Sequence, residues 1–356
     1  MMVHMPEERS NPIPRGRGVS ISDVAQEASV SIATVSRVLN NPEKVAAGTA
    51  QRVHEAIQRL KYRPNLFAKG LVTRRSRVLG VSLPDLHGDF YSELMRSADD
   101  RAHELGYHLL VTSSAHEPDA EASRFASDLI DALVTLVTES SQLEERLMRS
   151  AVPVVLLGAG PGEAPMDTVT IDNGSGTREA AAHLLGGTPG SRCYLVAGHA
   201  GNLDSDARCR AFADALTRSG VEVGTDQVVH GEYSVEWGWE WARRMIRAGE
   251  LGGAAVLAGN DEIAVGVIDA VRDEGLDVPH DVRVVGFDDS RICRLLRPTL
   301  SSVHVPVREV AQAGIEAAVR RLAEPDAPPM RTRLPTRLIV RESSRPGDNA
   351  PAKGST

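Results

Sequence analysis

The sequence predicts an α/β protein in two parts. A three-helix helix-turn-helix domain comes first, followed by a body of two lobes, each a doubly wound parallel sheet. Three observations carry this. Residues 20–40 hold two short helical patterns around a tight turn. Beyond residue 76, short apolar runs alternate with amphipathic stretches, as buried parallel strands joined by helices do. Charge divides at the same place. Residues 1–75 carry 12 Lys+Arg and 6 Asp+Glu, a net of +6, so against an overall −8 the rest of the 356-residue chain carries −14.

Taken in order, residues 1–18 are rich in Pro, Gly and Arg and lack the apolar stretch of a secretory signal, so they read as a disordered arm. Residues 19–63 form the head. Ser22 is expected to cap a first helix through Val24, Ala25 and Ala28, and Ser31 a second through Val35, Val38 and Leu39. Val24, Ala28, Val30, Val35 and Leu39 supply a small core. Ile32, Ala33, Thr34, Ser36 and Arg37 then face elsewhere. A second helix that shows small polar groups and one Arg suits the major groove of DNA, and a basic head on an acidic body agrees with it. A third helix runs from about 48 to 60, with Val53, Ile57 and Leu60 at helical spacing. Pro64 breaks it. Residues 64–76 read as a hinge, too short to hold a helix alone in water.

The body, residues 77–341, shows apolar runs at 78–83, 109–111, 132–137, 152–157, 169–171, 193–197, 254–258 and 282–287. Helical patterns lie at 92–105, 176–185, 208–219 and 263–274. These are too many strands for one small sheet. Residues 342–356 read as a disordered tail. Three widely spaced cysteines, Cys193, Cys209 and Cys293, argue against a disulfide framework and against a CxxC metal site. No apolar run approaches the roughly 20 residues that span a bilayer, so a cytoplasmic protein without a membrane partner is expected. His87 beside Asp85 and Asp89 is one His among acids, and no metal is expected there. Trp237, Trp239 and Trp241 fall on a helical stretch, 233–248, where they spread over about 200° of arc. Some of them must face a lobe interface or solvent, and packing between lobes is expected ahead of ligand stacking.

The segment DVAQEASVSIATVSRVLN, followed after a spacer by YRPNLFAKGL, resembles the head of the LacI/GalR family of bacterial transcription regulators. The body continues the resemblance from about residue 77 to 340. It does so through VLGVSLPDLHGDFYSEL, the IDN at 171–173, Arg208-x-x-x-Phe212, the GNDE at 259–262, VVGFDDS, and SSVHVPV at 301–307. The resemblance implies a core like a periplasmic sugar-binding protein, with lobes joined by three crossings near 173, 289–300 and 322–333. It implies a homodimer on a palindromic operator in double-stranded DNA, with the second helix in the major groove and paired hinge helices in the minor groove. Ile32 and Ala33 take the family's variable base-reading positions. Arg37 takes a position that often contacts a base edge, with a phosphate clamp as the alternative. Ser31, Thr34, Ser36 and Asn40 fit phosphate contacts and caps. Asn65 lies in the hinge, and Leu71 is the hinge residue that wedges between base pairs. Ser29 departs from the family's turn glycine, and a non-Gly residue with positive φ there costs about 1 kcal/mol. Gly70 lowers the helix propensity of the hinge.

In the same frame a small effector occupies the cleft between lobes, at the carboxyl ends of the strands. Asp89 can accept from hydroxyls, and Phe90 can stack on a sugar face. Arg208 can donate two parallel hydrogen bonds, and Tyr233 matches an aromatic lining position. Asn260 and Asp288 supply a mixed donor-acceptor and a pure acceptor. Each has an ordinary alternative: helix capping for Asn260 and Asp288, core packing for Phe90, a pair with Asp206 for Arg208. Asp172 reads as structural. The expected regulator is a repressor released by a sugar or glycoside; a nucleobase corepressor or an activating role is the alternative within the family. An α/β enzyme is the rival from another class. Gly158-Ala159-Gly160-Pro161-Gly162 follows a strand but opens no helix for a pyrophosphate. No phosphate loop, nucleophile elbow or Cys-His motif appears, so no catalytic residue and no cofactor are expected.

Overall fold

The computed structural model describes residues 19–62, 75–113, 129–138, 150–158, 165–186, 192–221, 224 and 226–345. The chain divides into two compact units, Met1–Ser76 and Arg77–Thr356. The expected arm at 1–18, hinge residues Asn65 and Leu71, and the tail beyond 345 lie outside the described residues.

In the first unit, α1 spans Ile21–Glu27, α2 Ile32–Asn40 and α3 Ala47–Leu60, with a 3-10 turn at Pro42–Lys44. The expected cap Ser22 is already inside α1. Ser20 caps it instead, because its extended backbone lets two groups satisfy each other. Its hydroxyl accepts from Asp23 N at 3.3 Å, and the Asp23 carboxylate accepts from Ser20 N at 2.8 Å. Val24, Ala25, Ala28, Val35, Val38, Val53 and Ala56 form the core, and Val30 and Leu39 pack at its edge. Arg59 of α3 pairs with Glu27 of α1 at 2.6 Å.

The second unit is built on two six-stranded sheets. The first lobe holds β1 (Val78–Leu83), β2 (His108–Ser113), β3 (Ala132–Leu136), β4 (Val154–Leu157), β5 (Asp167–Ile171) and β11 (Arg331–Leu334). They lie in the order β11-β5-β4-β3-β1-β2, all parallel. The second holds β6 (Cys193–Ala197), β7 (Val228–His230), β8 (Ala255–Ala258), β9 (Arg283–Asp288), β10 (Ser301–His304) and β12 (Arg337–Ile339). Its order is β12-β10-β9-β8-β6-β7, with β12 antiparallel at the edge. Central strands such as β6 and β8 are buried along their length, as a sheet covered on both faces requires.

The described helices of this unit are α4 (Gly88–Glu104), α5 (Asn173–Gly186), α6 (Leu203–Arg218), α7 (Val235–Arg247), α8 (Asp261–Asp273), α9 (Ile292–Leu295) and α10 (Val307–Ala323). Most begin earlier than the apolar spacing indicates, because their first turns are polar caps rather than core. Asn202, Ser234 and Asn260 cap α6, α7 and α8 by accepting from the third residue onward. Helices α7 and α8 approach backbone to backbone at two glycines. A Cβ on Gly266 would stand 1.9 Å from Val235 O, and one on Gly238 2.2 Å from Ile263 O.

The chain passes between lobes three times. The first crossing follows β5 at Asp172–Asn173, near the expected position. The second lies between β10 and α10, at Val305–Pro306, and not at 289–300. The third lies between β11 and β12, at Pro335–Thr336, and not at 322–333. Segment 289–300 resembles a linker because it carries Pro298 and short α9, yet it stays on the second lobe. The body also continues past residue 341. A 3-10 turn at Glu342–Ser344 buries Ser343 and Ser344, whose hydroxyls bond to Val284 O and to Ser301 Oγ, both at 2.7 Å.

The tryptophans correct another expectation. All three pack within the second lobe rather than between lobes. Trp241 is buried edge-on to Tyr194 at 5.6 Å. Trp239 donates to Asp273 at 2.9 Å under the Arg243 guanidinium. Trp237 lies over Gly231, where a Cβ would come within 2.3 Å of its ring.

Candidate functional site

The head presents one helix face. The turn before α2 places Ser29 at φ 52°, the left-handed conformation expected where relatives carry glycine. Val30 N closes the turn on Ala25 O at 2.9 Å. Ser31 caps α2, accepting from Thr34 N at 3.1 Å, with its hydroxyl 2.9 Å from that of Thr34. Both side chains thus already serve the cap. Val35 and Val38 turn inward, while Ile32, half exposed at 50%, Ala33 and Arg37 are open to solvent and Ser36 is half-buried. At 100° per residue, positions 32, 33, 36 and 37 fall within about 140° of one another. An apolar group, a methyl and an exposed guanidinium on one arc can meet thymine methyls and guanine edges in a major groove. Asn40 ends α2, and its side chain is outside the described set.

In the body, the carboxyl ends of the strands of both sheets bring a second group together. Arg208, on α6, is 7% exposed. Its Nε donates to Asn173 Oδ1 at 2.9 Å, its Nη1 donates to Gly259 O, and its guanidinium lies 3.6 Å above the Phe287 ring centroid. The alternative pair with Asp206 is not formed; the Asp206 carboxylate accepts from Gly201 N. Asn173 also donates to Asp204 at 2.6 Å, and Leu203 N bonds Thr138 O at 3.1 Å. The amino end of α6 therefore bridges first-lobe strand ends and the first crossing.

Asp288 ends β9 at φ 111°, a strained conformation for an L residue that costs on the order of 1–3 kcal/mol. Burial holds its carboxyl well above the usual range. Arg208 opposes the shift, and Asp261, Glu262 and Asp204 add to it. Burial also raises the Tyr233 phenol, against the pull of Arg208 and a hydrogen bond from Ser205. The Tyr233 ring lies over Gly198, where any Cβ would come within 2.1 Å. Asn260 takes the capping alternative, accepting from Ile263 N at 2.9 Å.

Asp89 falls in the first turn of α4 and is exposed. Phe90 is half-buried against the first-lobe core, edge-on to Tyr91 at 5.3 Å. Three residues absent from the sequence-based set join the cleft. Glu262 of the second lobe reaches Gly88 of the first, where a Cβ would stand 2.7 Å from its carboxylate. Burial and the charges of Asp85, Asp89, Glu236 and Asp261 raise its pKa. Tyr91 is raised by burial and by Asp85, Asp288, Tyr233 and Glu262, which places it among the same groups. Asn173 is the third, and its position in the IDN motif was its only signal.

Asp172 is structural, as expected. It accepts from Ser175 N at 3.1 Å and Arg333 at 2.7 Å. Burial pushes its pKa up, but these donors outweigh burial and hold it low. His87 pairs with Asp85 at 2.8 Å, and among the described residues no cluster of His, Cys, Asp and Glu could hold a metal ion. Gly158 has φ 90°, and residues 159–162 of the glycine-rich turn lie outside the described set. No described helix is long and apolar enough to cross a membrane.

Comparison with known proteins matches both parts of the chain. The profile described as bacterial regulatory proteins, lacI family, matches residues 20–65, and that of a periplasmic binding protein-like domain matches 190–344. Catabolite control protein A of Priestia megaterium is 32% identical over 333 residues, covering 92% of this chain and 99% of that protein. Among solved structures, the Lac repressor dimer bound to operator and the anti-inducer ONPF superposes with a TM-score of 0.81 at 25% identity, covering 92% of this chain and 99% of that one. The transcriptional regulator CelR in complex with cellobiose gives 0.69 at 27% identity, covering 91% and 99%.

Proposed function

The chain belongs to the LacI family of bacterial regulatory proteins, and on that premise we propose that it acts as a repressor whose operator binding is released by a sugar-like inducer. It is a ligand-responsive DNA-binding transcription regulator, and its family and fold are those of non-enzymatic regulators. Two copies bind the two halves of a palindromic operator in double-stranded DNA, each placing α2 in a major groove; the Lac repressor dimer on its operator supports this arrangement. Ile32, Ala33 and Arg37 read bases, while Ser31, Thr34, Ser36 and Asn40 hold the phosphate register. Asn65 and Leu71 of the hinge complete the contact. The site of action is the cytoplasm, where the operator is.

The observation that carries the inducer reading is the convergence of Arg208, Tyr233 and Asp288 on one cleft. A planar donor, an aromatic face and a carboxyl acceptor match the alternating hydroxyls and apolar face of a pyranose. Asp89, Phe90 and Asn260 line the approach. The cellobiose bound by the CelR relative supports a sugar over a nucleobase. Release requires that the sugar prefer the DNA-free conformation, with a coupling of about 1–3 kcal/mol.

The test is selection of duplexes from a random pool by the full-length protein, alone and with cellobiose, ribose, glucose or galactose. A palindromic site that one sugar depletes supports the proposal. A site that forms only when a purine base is added replaces the inducer with a corepressor.

A further inference from the structure

Asp288 and Asp289 are consecutive at the end of β9, and both have positive φ, 111° and 55°. Asp288 belongs to the cleft. Asp289 turns away from it into an ion network, its side chain 4% exposed. Its Oδ1 accepts from Arg341 Nη2 at 2.5 Å. Its Oδ2 faces His304 Nδ1 at 3.1 Å and Arg294 Nη2 at 3.5 Å.

Two of the partners, His304 and Arg341, stand beside the segments that carry the chain between lobes. His304 is the last residue of β10, directly ahead of the second crossing. Arg341 lies just past β12, which follows the third. The backbone ties the same points. Val305 N, in the second crossing, donates to Asp288 O at 3.3 Å. Asp289 N donates to Ser302 Oγ at 3.0 Å, and that hydroxyl donates to the buried Asp261 carboxylate at 2.6 Å. Asp261 also accepts from Ser290 N at 2.7 Å, so the strained turn is held on both sides. The Arg341 guanidinium is fixed in turn by Leu300 O at 2.7 Å. A rotation of the peptide between the two aspartates therefore moves both returning crossings.

We propose that Asp289 is a positioning residue for the ligand response: it passes a change at Asp288 to the second and third crossings through their shared peptide and the Arg341–His304 network. The proposal rests on the cleft reading above, and it concerns what lies behind the cleft rather than what enters it. Small shifts become a lobe movement because a packed, fully bonded network has discrete arrangements rather than a continuum.

The test is hydrogen exchange of the full-length chain, read at the amides of 303–305, 307 and 337–341. In the wild-type background Asp288→Ala raises exchange there at least tenfold. In the Asp289→Asn background, with folding checked by thermal melting, adding Asp288→Ala changes the same amides less than twofold. Arg341→Gln cuts the network from its other end and gives the same result, which keeps the test available if Asp289→Asn does not fold. A purely structural Asp289 raises exchange by itself but leaves the increment from Asp288→Ala intact, and that result overturns the proposal, as does no increment in the wild-type background. Sugar binding by the Asp288→Ala chain reports separately on the cleft: unchanged binding removes the cleft reading while the exchange result still decides the relay.

Discussion

Arg208→Ala removes the group on which the cleft turns. The guanidinium makes two buried bonds, to Asn173 and to Gly259 O, and lies over Phe287. A hydrogen bond from a charged donor is worth about 1.5–3 kcal/mol, and a desolvated cation over a ring about 2. Relief of the cost of burying the charge offsets part of this. What remains is the loss expected when one member of a buried network is deleted, about 3–5 kcal/mol. For a body of this size that lowers Tm by roughly 6–15 °C. Asp288 also loses the opposing charge of Arg208 while those of Asp261, Glu262 and Asp204 remain. Sugar affinity, measured by calorimetry on the full-length chain, falls at least 100-fold. Operator affinity without sugar stays within about threefold, because α2 draws on none of these contacts. Arg208→Lys regains part of the Tm but little of the sugar affinity, since an ammonium cannot make the planar pair of bonds. Unchanged sugar affinity with a Tm near wild type would refute the assignment of Arg208 as the organiser of the cleft.

Other substitutions test separate links. Ser29→Gly relieves the positive φ at the helix-turn-helix turn and stabilises the head by about 1 kcal/mol, read as slower exchange of α1 and α2 amides. Asp288→Asn raises Tm at neutral pH. A carboxyl whose folded pKa is raised stabilises the fold only while protonated, so its contribution is present in acid and fades as pH rises from its unfolded pKa to its folded one; the gain from Asn shrinks as pH falls toward 4. Gly266→Ala forces a Cβ against Val235 O, and melting shows the second lobe destabilised by several kcal/mol or unfolded. Arg37→Ala weakens binding to the selected operator by about 1–3 kcal/mol in an anisotropy titration and relaxes selection at one base pair per half-site.

The helix-turn-helix was legible because its signals are local. Ser31 caps the helix it precedes, and Ser29 takes the conformation its position demands. Most central strands were legible because burial on both faces leaves continuous apolar runs, as in 78–83 and 193–197, whereas internal β10, Ser-Ser-Val-His, was too polar to stand out. Of the four edge strands only β2 was legible, through its apolar run at 109–111. β11 reads Arg-Thr-Arg-Leu, and β7 and β12 have three residues each, too short and too polar to stand out. Helix α10 does carry a signal, with Val307, Val310, Ala311, Gly314, Ile315 and Ala318 buried at helical spacing, but small residues make its apolar stripe faint. In the cleft, residue types identified Arg208 and Asp288. They could not identify the contacts of Arg208, since Asn173 lies 35 positions away and Gly259 offers only its carbonyl. The two returning crossings were misplaced for a related reason. Each is a two-residue step, Val305–Pro306 or Pro335–Thr336, too short to stand out between the elements it joins, and the resemblance placed them only approximately.

The most direct test of the account is one anisotropy titration on the selected operator, run with and without the sugar that depletes it, for the wild-type and Arg208→Ala chains. The account predicts that the sugar weakens wild-type binding at least tenfold and leaves Arg208→Ala binding unchanged. Equal release of both chains, or of neither, would contradict it.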